Sequence, residues 1–133
     1  MKMKQFSNDL EYRLVGDDGH INGYERWNPT TQTWQTSGFG VHFTDGVIKH
    51  DRKDRFTGFK DAHGEKIFEN DIIQWTIKNT KGAEFELFLP VEWVASKAKF
   101  RPSSLLLEDV KVAGTIYKNA DLIKNHVPPN KDN

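Results

Sequence analysis

Apolar residues in this chain recur at every second position in short runs, and clusters of turn-forming residues separate the runs. Residues 10–15 alternate into Gly16-Asp17-Asp18-Gly19, where Gly and Asp tolerate the left-handed backbone of a tight turn. Extended chain resumes over residues 20–27 with Ile21 and Tyr24 inward, turns at Asn28-Pro29-Thr30-Thr31 and returns over residues 33–35. This is the pattern of a β-meander. Trp27 and Trp34 bracket the turn and are expected to pack on each other across the hairpin. If either is exposed, it becomes a contact candidate. Residues 39–43 read as a further strand, with Val41 between Phe39 and Phe43, closed by Thr44-Asp45-Gly46.

The second half is more regular. Residues 49–55, Lys-His-Asp-Arg-Lys-Asp-Arg, form a mixed charge run that lacks the Gly, Ser and Pro of a flexible linker. It marks the expected boundary between an N-terminal β-rich subdomain (1–50) and a C-terminal unit (51–126), with a frayed tail at 127–133. Residues 55–59 read as a strand, 60–64 as a turn, 72–77 as an apolar strand carrying Trp75, and 78–82 as a hairpin loop. Phe85, Leu87, Leu89, Val91 and Trp93 then alternate without a gap, and a period of two demands one buried face. Pro90 falls on the opposite phase and has no amide proton, so this strand belongs at a sheet edge or carries a bulge. Pro102 ends the stretch that follows. Residues 105–107 and 110–117 give the last strand, with Gly114 where another backbone is expected to pass closely. Asn119 or Asp121 is placed to cap a short helix through Ile123. There is no internal repeat and no long amphipathic helix. The expected fold is mostly β with minor α, a small barrel or curled sheet.

Composition narrows the picture. A chain of 133 residues fits one modest domain, and its four Trp, nine Phe and three Tyr argue for an aromatic-rich core rather than disorder. Cysteine is absent, which excludes a disulfide framework, a thiolate nucleophile and a cysteine zinc site. The first ten residues lack an apolar stretch of signal-peptide length, and no run of about 18 apolar residues occurs anywhere. The expected location is the cytoplasm. Nineteen basic and nineteen acidic residues leave a formal charge of zero. That balance argues against nucleic-acid binding by bulk charge and favours self-association over mutual repulsion.

Two segments carry a resemblance. The stretch Arg55-Phe56-Thr57-Gly58-Phe59-Lys60-Asp61-Ala62-His63-Gly64-Glu65-Lys66-Ile67-Phe68-Glu69-Asn70-Asp71-Ile72-Ile73 resembles the central motif of the YopX family of phage and prophage proteins. That family reads Thr-Gly-Leu-Lys-Asp, Asn-Gly-Lys and Ile-Tyr-Glu-Gly-Asp-Ile-Val. Val112-Ala113-Gly114-Thr115-Ile116-Tyr117-Lys118-Asn119-Ala120-Asp121-Leu122-Ile123 is similar to its closing motif, roughly Ile-Gly-Asn-Ile-Tyr-Glu-Asn-Pro-Glu-Leu. Asn70 stands where the family has Gly, and Asn is the side chain that best tolerates the same positive φ. The resemblance implies a phage-encoded intracellular protein with a C-terminal SH3-like β-barrel and a smaller N-terminal subdomain. It implies no chemistry. The motif residues Gly58, Asp61, Gly64, Asn70, Asp71 and Gly114 read as structural: turn formers, a carboxylate for backbone amides, and a close approach.

No residue set reads as a catalytic site, a metal site or a cofactor site. The five histidines are scattered, no nucleophile elbow or phosphate loop occurs, and Glu84 and Glu86 fall on an outward strand phase. His50 with Asp51 and Asp54 is the only imaginable hydrolase cluster, and it reads more simply as a solvated charge run. The feature that leans towards function is basic residues among aromatics. Lys49, Arg52, Lys53 and Arg55 form one group, and Lys97, Lys99 and Arg101 around Phe100 form another. They are candidate contacts for a host or phage protein, which is the leading expectation, or for nucleic acid, the alternative. A homo-oligomer is a further expected partner state.

Overall fold

A computed structural model describes residues 10–102 and 109–124, and extended chain predominates in them. Six strands, β1 (Glu11–Val15), β2 (Ile21–Asn28), β3 (Thr33–Ser37), β4 (Thr44–Asp45), β5 (Arg52–Lys60) and β6 (Lys66–Phe68), form one antiparallel sheet in the order β4-β3-β2-β1-β5-β6. Then come β7 (Asp71–Lys78), β8 (Glu84–Pro90), β9 (Glu92–Val94), a 3₁₀ turn (Ala95–Lys97), β10 (Lys99–Arg101), β11 (Lys111–Thr115) and a helical turn α1 (Asp121–Lys124). They give a three-stranded sheet β11-β7-β8 and a β9–β10 hairpin. The fold is mostly β, and no sheet among the described residues closes into a barrel. No helix among them is long and apolar enough to cross a membrane. The strand expected at 105–107 and the tail at 127–133 lie outside the described residues.

The meander expected over the first half is present as β1–β2–β3. Trp27 sits directly opposite Trp34, with the rings edge to face at 5.4 Å. One expectation fails. Residues 39–43 form no strand. The Ser37 hydroxyl donates to the Val41 carbonyl and accepts the amides of Phe39 (3.2 Å) and Gly40 (3.1 Å), which folds the segment into a loop. Positive φ at Gly40 (83°) and His42 (59°) suits that loop and not an extended strand. The charge run leads into the sheet. From Arg52 onward it is β5, which pairs with β1 along one edge and with β6 along the other. Strand geometry then turns alternate side chains inward, so Asp54 is only 1% exposed whereas Lys53 and Arg55 face outward.

Pro90 does mark an edge, since β8 has β7 on one side and no strand on the other among the described residues. The continuous buried face expected for residues 85–93 is built only at one end. Val91 is fully buried, but Phe85 is 49% exposed, because the β7–β8 hairpin runs out past the core. The core joins Ile67, Ile73, Val91 and Val110, with Phe59, Trp75, Leu89, Phe100 and Val112 packed on it. Gly58, at φ 89°, coincides with the register shift between Phe56 and Lys60 in the β5–β6 pairing. Asp61 caps the next turn, accepting the amides of His63 and Glu65 (both 2.8 Å) and of Val112 (2.9 Å). Gly114 pairs with Ile72 of β7, and the Asn119 side chain packs closest against it. A Cβ there would lie 2.2 Å from Asn119 Oδ1, which accepts the Thr115 amide (3.1 Å).

Candidate interaction face

Arg13 projects from β1 into the interior and is 4% exposed. Its Nη2 and Nε donate to Asp54 Oδ2 (2.9 and 3.2 Å), its Nη1 to Asp71 Oδ1, and its Nη2 also to the Glu69 carbonyl (3.1 Å). Asp54 Oδ1 accepts Asn70 Nδ2 and the Tyr117 hydroxyl, both at 2.8 Å. Asp71 Oδ2 accepts the Phe68 amide (2.8 Å). Arg13 thus holds Glu69 and Asp71 of one motif segment directly, and Asp54 links it to Asn70 and to Tyr117 of the other. Burial pushes the Asp71 carboxyl up to about 6, against the pull of Arg13. Burial and the contact with Asp54 push the Tyr117 phenol up to about 12. Burial lowers the Arg13 guanidinium, but Asp71 and Asp54 outweigh it and the net shift is upward. Asp54, read from sequence as belonging to a solvated run, is a buried anchor.

The same geometry dissolves the imagined hydrolase cluster. The His50 ring contacts the Ile48 carbonyl through Nδ1 (2.8 Å), and Asp51 lines a cleft of about 300 Å³ with Gly16, Asp17, Gly19, Arg52 and Tyr117. Asp54 is held in the interior. No group of three metal-ligating side chains occurs among the described residues.

On the opposite side of β5 the basic and aromatic residues form a continuous face. Tyr12, Trp27 and Trp34 make a ring cluster, with centroids 6.0 Å apart for Tyr12–Trp34, and the Lys53 ammonium lies over Tyr12 (5.4 Å) and Trp34 (5.7 Å). Arg55, directly across from Tyr12, stacks over Trp93 at 4.4 Å, and Trp93 meets Phe100 edge to face at 4.8 Å. Arg55 therefore joins the two groups picked out in the sequence. The rest are divided. Arg52 lies over the Tyr117 ring (5.4 Å), and Lys49 precedes β5 with its carbonyl accepting Asn22 Nδ2 (2.9 Å). Lys97 sits in the 3₁₀ turn and Lys99 in β10. Arg101 pairs with Glu92 (2.9 Å), as Lys53 pairs with Glu25 (2.6 Å). Sequence reasoning missed Tyr12 and Trp93 as members of this face. No local signal in the sequence marks them, because the β1–β5 pairing and the Arg55–Trp93 contact bring them to it.

The family model described as YopX protein matches residues 42–124, more than half of the chain. The chain belongs to the YopX family. In YopX terms, the match takes in β5 to α1 with Asp54, Asn70, Asp71 and Tyr117, whereas Arg13 lies before it. No curated protein matches the chain.

Asn70 has φ 72° and donates to both Asp54 and Tyr117. Asn70→Gly keeps the backbone comfortable and loses those bonds, at an expected cost of about 1–3 kcal/mol. Asn70→Ala loses them and adds strain, so urea titration should rank wild type above Asn70→Gly above Asn70→Ala.

Proposed function

We propose that this YopX protein is a phage- or prophage-encoded, non-enzymatic protein-interaction module acting in the host cytoplasm. Its docking surface in this reading is the Tyr12–Trp34–Lys53–Arg55–Trp93 face. Strands β5 to β11 around Ile67, Ile73, Val91 and Val110 would be its SH3-like barrel element. The observation that carries the reading is the state of the cations. Lys53 is paired with Glu25 and Arg101 with Glu92, and Arg55 is stacked on Trp93. Trp, Tyr and Arg held in this way resemble the anchor residues of protein interfaces more than a groove of free cations awaiting phosphates.

A tagged chain should recover a specific protein from phage-infected host lysate whether or not nuclease is added. The Trp34→Ala/Arg55→Ala variant should recover at least tenfold less. Equal recovery by the variant would remove this face from the account. The alternative, binding of single-stranded nucleic acid, draws on Lys97 and Lys99, which make no ion pair among the described residues. It predicts recovery abolished by nuclease and falling steeply with salt.

A further inference from the structure

Lys53 and Arg55 leave β5 on the same side as Tyr12, but only one of them has an anion. The Lys53 ammonium reaches across β1 to Glu25 (2.6 Å) and lies over the Tyr12 ring. Arg55 is exposed, and its guanidinium lies over the Trp93 ring at 4.4 Å. Among the described residues none of the guanidinium N–H groups donates a hydrogen bond, and the charge has no ion-pair partner. Glu69, beside it, accepts the main-chain amide of Arg55 (3.2 Å) and not the guanidinium. A guanidinium stacked on an aromatic ring keeps its donors at the rim of one plane, and it is held still before a ligand arrives. A carboxylate accepts two such donors side by side. Apolar rings flank the guanidinium on both sides. Tyr12 lies directly across from Arg55 and is joined to Trp34 at 6.0 Å, and Trp93 is joined to Phe100 at 4.8 Å. Trp34 is 40% exposed, which leaves roughly 60–100 Å² of that side chain open.

We infer that the partner docked on this face presents one carboxylate, from an Asp or Glu flanked by apolar residues, to the Arg55 guanidinium. The flanking residues seat on Trp34 and Tyr12 to one side and on Trp93 and Phe100 to the other. The inference rests on the reading of this face as a docking surface and adds the chemistry of what docks. Charge separates an acidic protein segment from a nucleic acid. A nucleic-acid strand carries a phosphate at every nucleotide and needs a row of cations to neutralise them. Here Lys53 is already neutralised by Glu25, so Arg55 can answer one anion. A second phosphate alongside would meet Glu25 or Glu69 with no cation to offset them. A lone acid among apolar side chains meets the guanidinium and the rings.

Selection from a random peptide library on the immobilised full chain supplies the probe. Wild type should enrich peptides that hold one Asp or Glu among apolar residues. With Asn or Gln in place of that acid, such a peptide should bind wild type about tenfold more weakly. Arg55→Gln should bind the acidic and the amide peptide alike, because the cycle isolates the contact between the two charges. Arg55 is exposed, so thermal unfolding of Arg55→Gln should stay close to wild type and show that the variant folds. Peptides that need Trp34, by loss of binding to Trp34→Ala, but carry no acid overturn the inference and leave the docking face standing. An acid preference that survives in Arg55→Gln overturns it in the same way. Peptides indifferent to both substitutions, or no enriched peptide, overturn the inference and the docking face together. Binding of oligothymidylate that Arg55→Gln abolishes would give Arg55 to phosphate instead.

Discussion

Arg13→Ala is expected to cost about 3–5 kcal/mol at neutral pH, because it strands two buried carboxylates without a counter-charge. Asp54 and Asp71 are 1% exposed and share that one guanidinium. Neutralising the carboxylates as well, in Arg13→Ala/Asp54→Asn/Asp71→Asn, should recover a large share of the loss. The recovery separates an uncompensated-charge penalty from lost packing over Phe68, above which the guanidinium lies at 5.1 Å. Chemical denaturation of the three proteins reads the difference. If the triple variant is no more stable than Arg13→Ala alone, packing rather than charge is what Arg13 supplies.

Stability should also depend on pH through Asp71. Its carboxyl is raised in the folded chain, from an ordinary 3.8 to about 6, chiefly by burial. Folded protein therefore holds this proton over a range where unfolded protein has released it. The stabilisation is complete below about pH 4 and is lost as pH rises through about 6. Relative to Asp71→Asn, which carries no titrating group there, wild type should lose up to about 3 kcal/mol between pH 4 and 7. The check is urea unfolding of both proteins across that interval. A difference that grows the other way would mean that the Arg13 contact outweighs desolvation and holds Asp71 ionised.

Local rules read some elements correctly and failed where partners are distant in sequence. The β2–β3 hairpin with its facing tryptophans, the edge position of the Pro90 strand and the positive φ of Asn70 each follow from a few neighbouring residues. Asp54 misleads because its neighbours are charged. Inward alternation on β5 buries it, and its partner Arg13 is 41 positions away. The loop at 38–43 misleads because Phe39, Val41 and Phe43 imitate a buried strand, whereas a single serine hydroxyl bends the backbone. The candidate face was half legible. Its cations and Phe100 stood out in the sequence, but the rings that join them are brought together only by the β1–β5 pairing and the Arg55–Trp93 contact.

Because β5 hydrogen-bonds to β1 on one edge and to β6 on the other, neither half has a complete edge without the other. Heat should melt the chain in a single step, and the β5 amides should exchange with solvent only through global opening. A gene cut at residue 50 would therefore release two unfinished sheets. The C-terminal piece would lack Arg13, the one cation that pairs with Asp54 and Asp71 among the described residues.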